Sequence, residues 1–185
     1  MLSGSAPAFA DPAHGYVRAN QGNLPRTYAE MIRLPVSYRR AVFQELSPRE
    51  RSALWTEHVD QFVVNHPELS SQQRQVVQRV RVVVGDQSLY TAGATISPEV
   101  GILADQVRDV LGNERATALV AVLGPSDAAE AAGASPEAIG CKCSVTSDFC
   151  NNGTNCSYRY RSCIVQPNQG CGFAWAYSCD GQCVF

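Results

Sequence analysis

The chain has 185 residues, with 15 Lys and Arg against 17 Asp and Glu, a net charge of −2, and no basic run or clustered Lys/Arg patch of the kind that binds nucleic acid. No stretch approaches the ~20 consecutive apolar residues of a membrane span. All eight cysteines lie at or beyond Cys141, so composition alone divides the chain into a large part free of sulfur bridges and a small part rich in them.

Residues 1–23 read as an N-terminal segment. Ala8-Phe9-Ala10 ahead of Asp11-Pro12 fits the small-x-small pattern of a signal-peptidase site, although the charged and apolar stretches that normally precede such a site are missing. Either the segment is the remnant of a signal peptide whose start has been trimmed or placed too late, the reading the disulfides favour because they need a route out of the cell, or Ala8-Phe9-Ala10 is chance.

Residues 24–124 carry a helical pattern. Two short helices are expected at Tyr28 to Arg33 and at Ser37 to Leu46. Ser47-Pro48-Arg49-Glu50 then combines a cap, a proline suited to the first turn and an acid placed to close a capping box. Behind it Trp55, Val59, Phe62 and Val63 share one face, and His66-Pro67 should end the helix. Ser70 and Gln73 repeat the cap and box, with Val76, Val77, Val80, Val83 and Val84 at helical spacing after them. A further helix should start at Ser97-Pro98-Glu99, turn Val100, Leu103, Val107, Val110 and Leu111 inward, and break at Gly112-Asn113 before Ala116 to Leu123. His58, beside Glu57, is expected at the surface or the edge of the core.

Residues 125–140 are mostly Ala, Gly, Ser and Pro with a few acids, a composition that cannot bury enough surface to order itself. They read as a linker and as the place for a processing protease to cut.

Residues 141–185 hold Cys141, Cys143, Cys150, Cys156, Cys163, Cys171, Cys179 and Cys183 with the spacing C-x-C-x6-C-x5-C-x6-C-x7-C-x7-C-x3-C. An even number of cysteines in a segment too short for an adequate core points to a disulfide framework formed in an oxidising compartment, hence to a secreted, extracellular protein. Metal is disfavoured: there is no C-x2-C pair, and His14, His58 and His66 all lie outside the module. A bond between the near neighbours Cys141 and Cys143 is sterically poor, and the remaining connectivities stay open. Asp180-Gly181 suggests a two-residue hairpin pairing Cys179 with Gln182, Ser178 with Cys183 and Tyr177 with Val184, which would keep Cys179 and Cys183 from bonding each other. Asn152-Gly153 suggests a turn, and the glycosylation sequons beginning at Asn152 and Asn155 are too short to weigh much.

On that hairpin Phe173, Trp175 and Tyr177 would share a face, and Tyr158 and Tyr160 alternate with Arg159 and Arg161. These aromatics either pad the disulfides in place of a core or form a sticky target-binding face for a membrane or receptor. No G-x-S-x-G, H-E-x-x-H or Gly-rich phosphate loop is present, so no enzyme and no cofactor are expected. The fold expected is a mainly α N-terminal region followed by a small disulfide-rich module with short β-hairpin structure.

Cys141-Lys142-Cys143-Ser144, Ser147-Asp148-Phe149-Cys150, Cys156-Ser157-Tyr158, Gly170-Cys171-Gly172 and Trp175-Ala176-Tyr177-Ser178-Cys179-Asp180-Gly181 resemble the fulvocin C-related family of cysteine-rich myxobacterial bacteriocins. Leu34 to Phe43, Leu46-Ser47-Pro48 and Arg51-Ser52-Ala53-Leu54-Trp55 are similar to the helical precursor region of the same family. The resemblance implies a precursor whose released peptide kills related bacteria, with a bacterial membrane or surface receptor as target, and a processing protease and an immunity protein as partners. The spacing from Cys156 to Cys171 departs from the family pattern, and no connectivity is carried over. Two rivals remain: an uncleaved extracellular cysteine-rich binding or inhibitor protein, and a peptide whose cysteines are joined to dehydrated Ser or Thr as thioethers.

Overall fold

The computed structural model describes residues 12–92, 95–126, 143–150, 155–157 and 166–184. Its helices are α1 (Pro12–Ala19), the single turn α2 (Tyr28–Met31), α3 (Val36–Glu45), α4 (Pro48–Asn65), α5 (Ser71–Gly85), α6 (Pro98–Leu111) and α7 (Asn113–Val120). The long helices begin where local hydrogen-bond chemistry puts their starts. At α4 the Glu50 N–H donates to Ser47 Oγ at 3.3 Å while the Ser47 N–H donates to the Glu50 carboxylate at 2.8 Å. Ser70 and Gln73 repeat this reciprocal pair at α5, and the Glu99 N–H donates to Ser97 Oγ at α6. Each pair satisfies donors that the first helical turn would otherwise leave open. The valine run that could have read as strand lies inside α5.

The inward faces follow the 3.6-residue period. Trp55, Val59 and Phe62 of α4, Val76, Val77, Val80 and Val84 of α5, and Val100, Leu103, Val107 and Leu111 of α6 are buried, and Val63, Val83 and Val110 pack at the margin. Helix α4 lies on α5, α5 on α6, α6 on α7 and α1 on α3. Two elements were not anticipated. Helix α1, inside the expected N-terminal segment 1–23, packs Ala13 and Val17 into the core, and a 3-10 turn at Gln87–Tyr90 buries Tyr90. Among the described residues no helix is long and apolar enough to cross a membrane.

The C-terminal region holds β1 (Asn155–Ser157), β2 (Gln166–Cys171), β3 (Tyr177–Cys179) and β4 (Gln182–Val184) in two two-stranded antiparallel sheets, β2 with β3 and β1 with β4. The fold class is therefore the expected one, but the hairpin expected at Asp180-Gly181 is replaced by a crossing between the two sheets. Both N–H groups of that pair are engaged elsewhere: Asp180 and Gly181 each donate to the Cys143 carbonyl at 3.0 Å. The Asp180 carboxylate accepts the Val145 N–H at 2.8 Å. Gly181 sits so close to the Cys143–Cys156 bridge that a Cβ there would lie 2.6 Å from Cys156 Sγ, which only glycine avoids.

Removing the best-formed cap should be measurable. Ser47→Ala is expected to cost about 1 kcal/mol and lower Tm by about 3 °C in a thermal melt, with the fold retained.

Candidate functional site

The described sulfurs form three bridges: Cys143–Cys156, Cys150–Cys183 and Cys171–Cys179. Cys171–Cys179 staples β2 to β3, and the other two tie the 143–150 segment to the β1–β4 sheet. Asp148 organises this frame, because its two carboxylate oxygens accept the N–H groups of Cys150 at 2.8 Å and Cys156 at 2.7 Å. The sulfurs of Cys143, Cys150 and Cys183 lie within 4.8 Å of one another. That closeness comes from two disulfides packed together, whose sulfurs are bonded and not thiolates open to an ion. None of the described cysteines is free, which leaves a thioether no sulfur among them. Cys179 and Cys183 do lie in separate bonds, though for a reason other than hairpin register.

The aromatic segment between β2 and β3 goes where the sequence pattern does not point. Phe173–Trp175 forms a tight turn in which Ala174 (φ 50°) and Trp175 (φ 53°) both adopt left-handed backbone, at a cost of about 1 kcal/mol or more each. The turn cancels the two-residue alternation of a strand. Phe173 and Trp175 both reach 0 % exposure inside the core of the helical region. The Trp175 ring meets Phe43 of α3 at 5.4 Å and Trp55 of α4 at 5.7 Å between centroids, edge to face, and the Arg40 guanidinium lies over it at 5.5 Å. Its indole N–H donates to the Ala121 carbonyl at 2.8 Å. At the rim Arg108 of α6 stacks on Phe149 at 4.1 Å, and β2 runs along α3 with Gly170 against Gln44.

The Ala121 carbonyl is available because α7 ends there, and the last carbonyls of a helix lack partners within it. Side chains from distant elements take up the set. Ala118 O is met by His58 Nε2 at 2.9 Å, Ala121 O by Trp175, and Leu123 O and Pro125 O by Arg39 Nη1 at 2.8 and 2.7 Å. The buried guanidinium also holds Leu34 O and Ile32 O, so its charge is spread over four carbonyl dipoles of the turns that follow α2 and α7. Gly124, at φ +86°, turns its N–H onto His58 Nδ1 at 3.2 Å, and a Cβ there would lie 2.6 Å from Ile32 Cγ2. Nδ1 is therefore the acceptor, also within reach of the Tyr28 hydroxyl at 3.1 Å, and Nε2 carries the proton given to Ala118. His58 is thus a buried neutral imidazole and not the surface or core-edge residue expected. Burial, with the Arg39 charge as a lesser cause, pushes its pKa down to about 4, against the opposing Ala118 hydrogen bond.

Of the residues expected to meet a target, Phe173 and Trp175 are covered by the helical region in the intact chain, so the padding they provide goes to the helical core. They pad neither the disulfides nor the surface. Tyr177 is half-buried beside Ser147, and burial raises its hydroxyl pKa. Tyr158, Arg159, Tyr160 and Arg161 lie outside the described residues, as do Cys141 and Cys163 and the Asn152-Gly153 turn. Arg39, His58, Ala121 and Gly124 were not singled out by sequence as a set. The visible signals were a lone arginine on the apolar side of an amphipathic stretch and a glycine just past a helix end. Comparison with family models, with curated proteins and with solved structures gives no match to this chain.

The imidazole sets a pH window. Its folded pKa lies below the ordinary 6.5, so above that value it is neutral whether folded or unfolded and stability is complete. As pH falls below 6.5 the unfolded chain gains a proton that the folded chain refuses, and stability should drop by about 3 kcal/mol by pH 4. Glu50, held low by its hydrogen bonds to Ser47, loses its contribution only further down, as pH falls through the carboxylate range. Urea melts between pH 7 and pH 4.5 should show the imidazole's slope in the wild type and a flattened one in His58→Gln.

Proposed function

We propose that the chain is a secreted bacteriocin precursor. A processing protease cuts within 125–140, and the freed module 141–185, held by disulfides, kills related bacteria by association with their membrane or with a surface receptor. The observation that carries this reading is the burial of Phe173 and Trp175: a small module's two largest apolar side chains are kept out of solvent by a helical region joined to it through a stretch composed like a linker. In this reading the helical region is the cover that holds the module inactive. Freed, the module exposes these rings beside Tyr177 and adds Tyr158, Arg159, Tyr160 and Arg161 to one target-binding face, where aromatic burial at an interface outweighs the modest pull of so few basic residues on anionic lipid. No catalytic step and no cofactor enter.

The second reading, an uncleaved extracellular binding or inhibitor protein, draws on the same burial, because a tryptophan shared by two parts also welds them into one unit. Intact mass of the secreted material separates the two. A product beginning in or after 127–140 supports the precursor, and the full chain alone supports the rival.

Activity gives the direct test. The oxidised chain is cut within 127–140 and its module separated under denaturing conditions that leave disulfides intact. Against a related strain this module should kill at least tenfold more effectively than the uncut chain, and Trp175→Ala in the module should abolish most of that gain. Equal activity of module and uncut chain would contradict the reading.

A further inference from the structure

We propose that the helical region is a binding protein for the module in its own right, so that cutting the linker does not release the module: the two parts stay together in trans through the Trp175 socket, with the helical part as its neutralising partner. The proposal rests on the precursor reading for its biological sense, but the association itself is argued from geometry.

The socket is built without the module. Phe43 and Arg40 come from α3, Trp55 from α4 and the acceptor from Ala121 at the end of α7. The turn that aims this acceptor is fixed by Arg39 of α3 and His58 of α4 through Ala118, Leu123, Gly124 and Pro125. Nothing that shapes the cavity is lost when the chain is opened beyond Pro125. On the other side the disulfide Cys171–Cys179 closes the strands that present the Phe173–Trp175 turn, which keeps the ligand in its bound shape. Preorganisation on both sides lowers the ordering cost of association.

The contact has the make-up of a binding hot spot: two aromatic side chains fully desolvated at its centre, one buried hydrogen bond, and an arginine stack at its rim. The first 140 residues contain no cysteine, so no disulfide can join the two parts and the association is wholly non-covalent. A tether of linker composition supplies an effective concentration on the order of millimolar. Losing it makes affinity depend on concentration without removing any contact, so release needs dilution, acid or a competing target surface.

The test uses the full oxidised chain with a site-specific protease sequence inserted within 127–140. After complete cutting, shown by denaturing gel, the fragments at low micromolar concentration should elute together on size exclusion at pH 7 and appear in native mass spectrometry as one 1:1 species. Separate elution at that concentration would overturn the proposal while leaving the killing activity of the module, and with it the precursor reading, untouched. Trp175→Phe keeps a ring in the socket and deletes the indole donor. Once circular dichroism shows the uncut variant to be as helical as the wild type, its cut form should bind about tenfold more weakly. Unchanged affinity would remove Trp175 as the anchor.

Discussion

A buried indole N–H without an acceptor is costly, a cost that Trp55 bears in the same core with no hydrogen-bond partner among the described residues. A helical region offers its surplus of acceptors at helix C-termini, where the last carbonyls have no partner in the helix. Trp175 and the end of α7 meet each need with the other. The carbonyl it uses is held in place by two buried donors: His58 satisfies Ala118 within the last turn of α7, and Arg39 satisfies Leu123 in the turn beyond it. The socket therefore depends on a polar arrangement that an apolar cavity of the same shape would lack. Removing any donor leaves a buried carbonyl unpaired, which costs more than the hydrogen bond contributed.

Sulfur and hydrocarbon divide the labour in the C-terminal region. Its disulfides, with Asp148 bridging the backbone of Cys150 and Cys156, hold strands of only three to six residues that could not pair stably alone. Its bulkiest side chains are left free to serve another core. The same frame that makes the module independent of a hydrophobic centre allows Phe173 and Trp175 to be lent to the helices, and the strained backbone at Ala174 and Trp175 is the local consequence.

Most of the helical region can be read directly from the chain. Ser47 with Glu50, Ser70 with Gln73, and Ser97 with Pro98 mark helix starts within single turns, where hydrogen bonds span three residues and spacing is sufficient information. The C-terminal half resists because its determinants are remote in sequence. Asp180-Gly181 has the composition of a hairpin turn, but the Cys143 carbonyl, nearly forty residues away, claims both of its N–H groups. Trp175 sits at a position where alternation predicts one face of a strand, and only the cavity between Phe43 and Trp55 explains why its backbone leaves that pattern. His58 looked peripheral beside Glu57 because the glycine turn that seals it lies 66 residues on. Helix α1 is harder to read because only the eight residues Pro12–Ala19 carry its pattern, and its Ala13 and Val17 are recruited by α3.

The central claim is that the module's tryptophan lies inside the helical core, and proton NMR of the intact oxidised chain addresses it directly. The chain has two tryptophans, so two indole N–H signals are expected. The Trp175 signal should exchange slowly with deuterium, and its ring should show nuclear Overhauser contacts to Phe43 and Trp55. An indole proton of Trp175 that exchanges as fast as that of a free peptide, with no contact to either ring, would contradict the account.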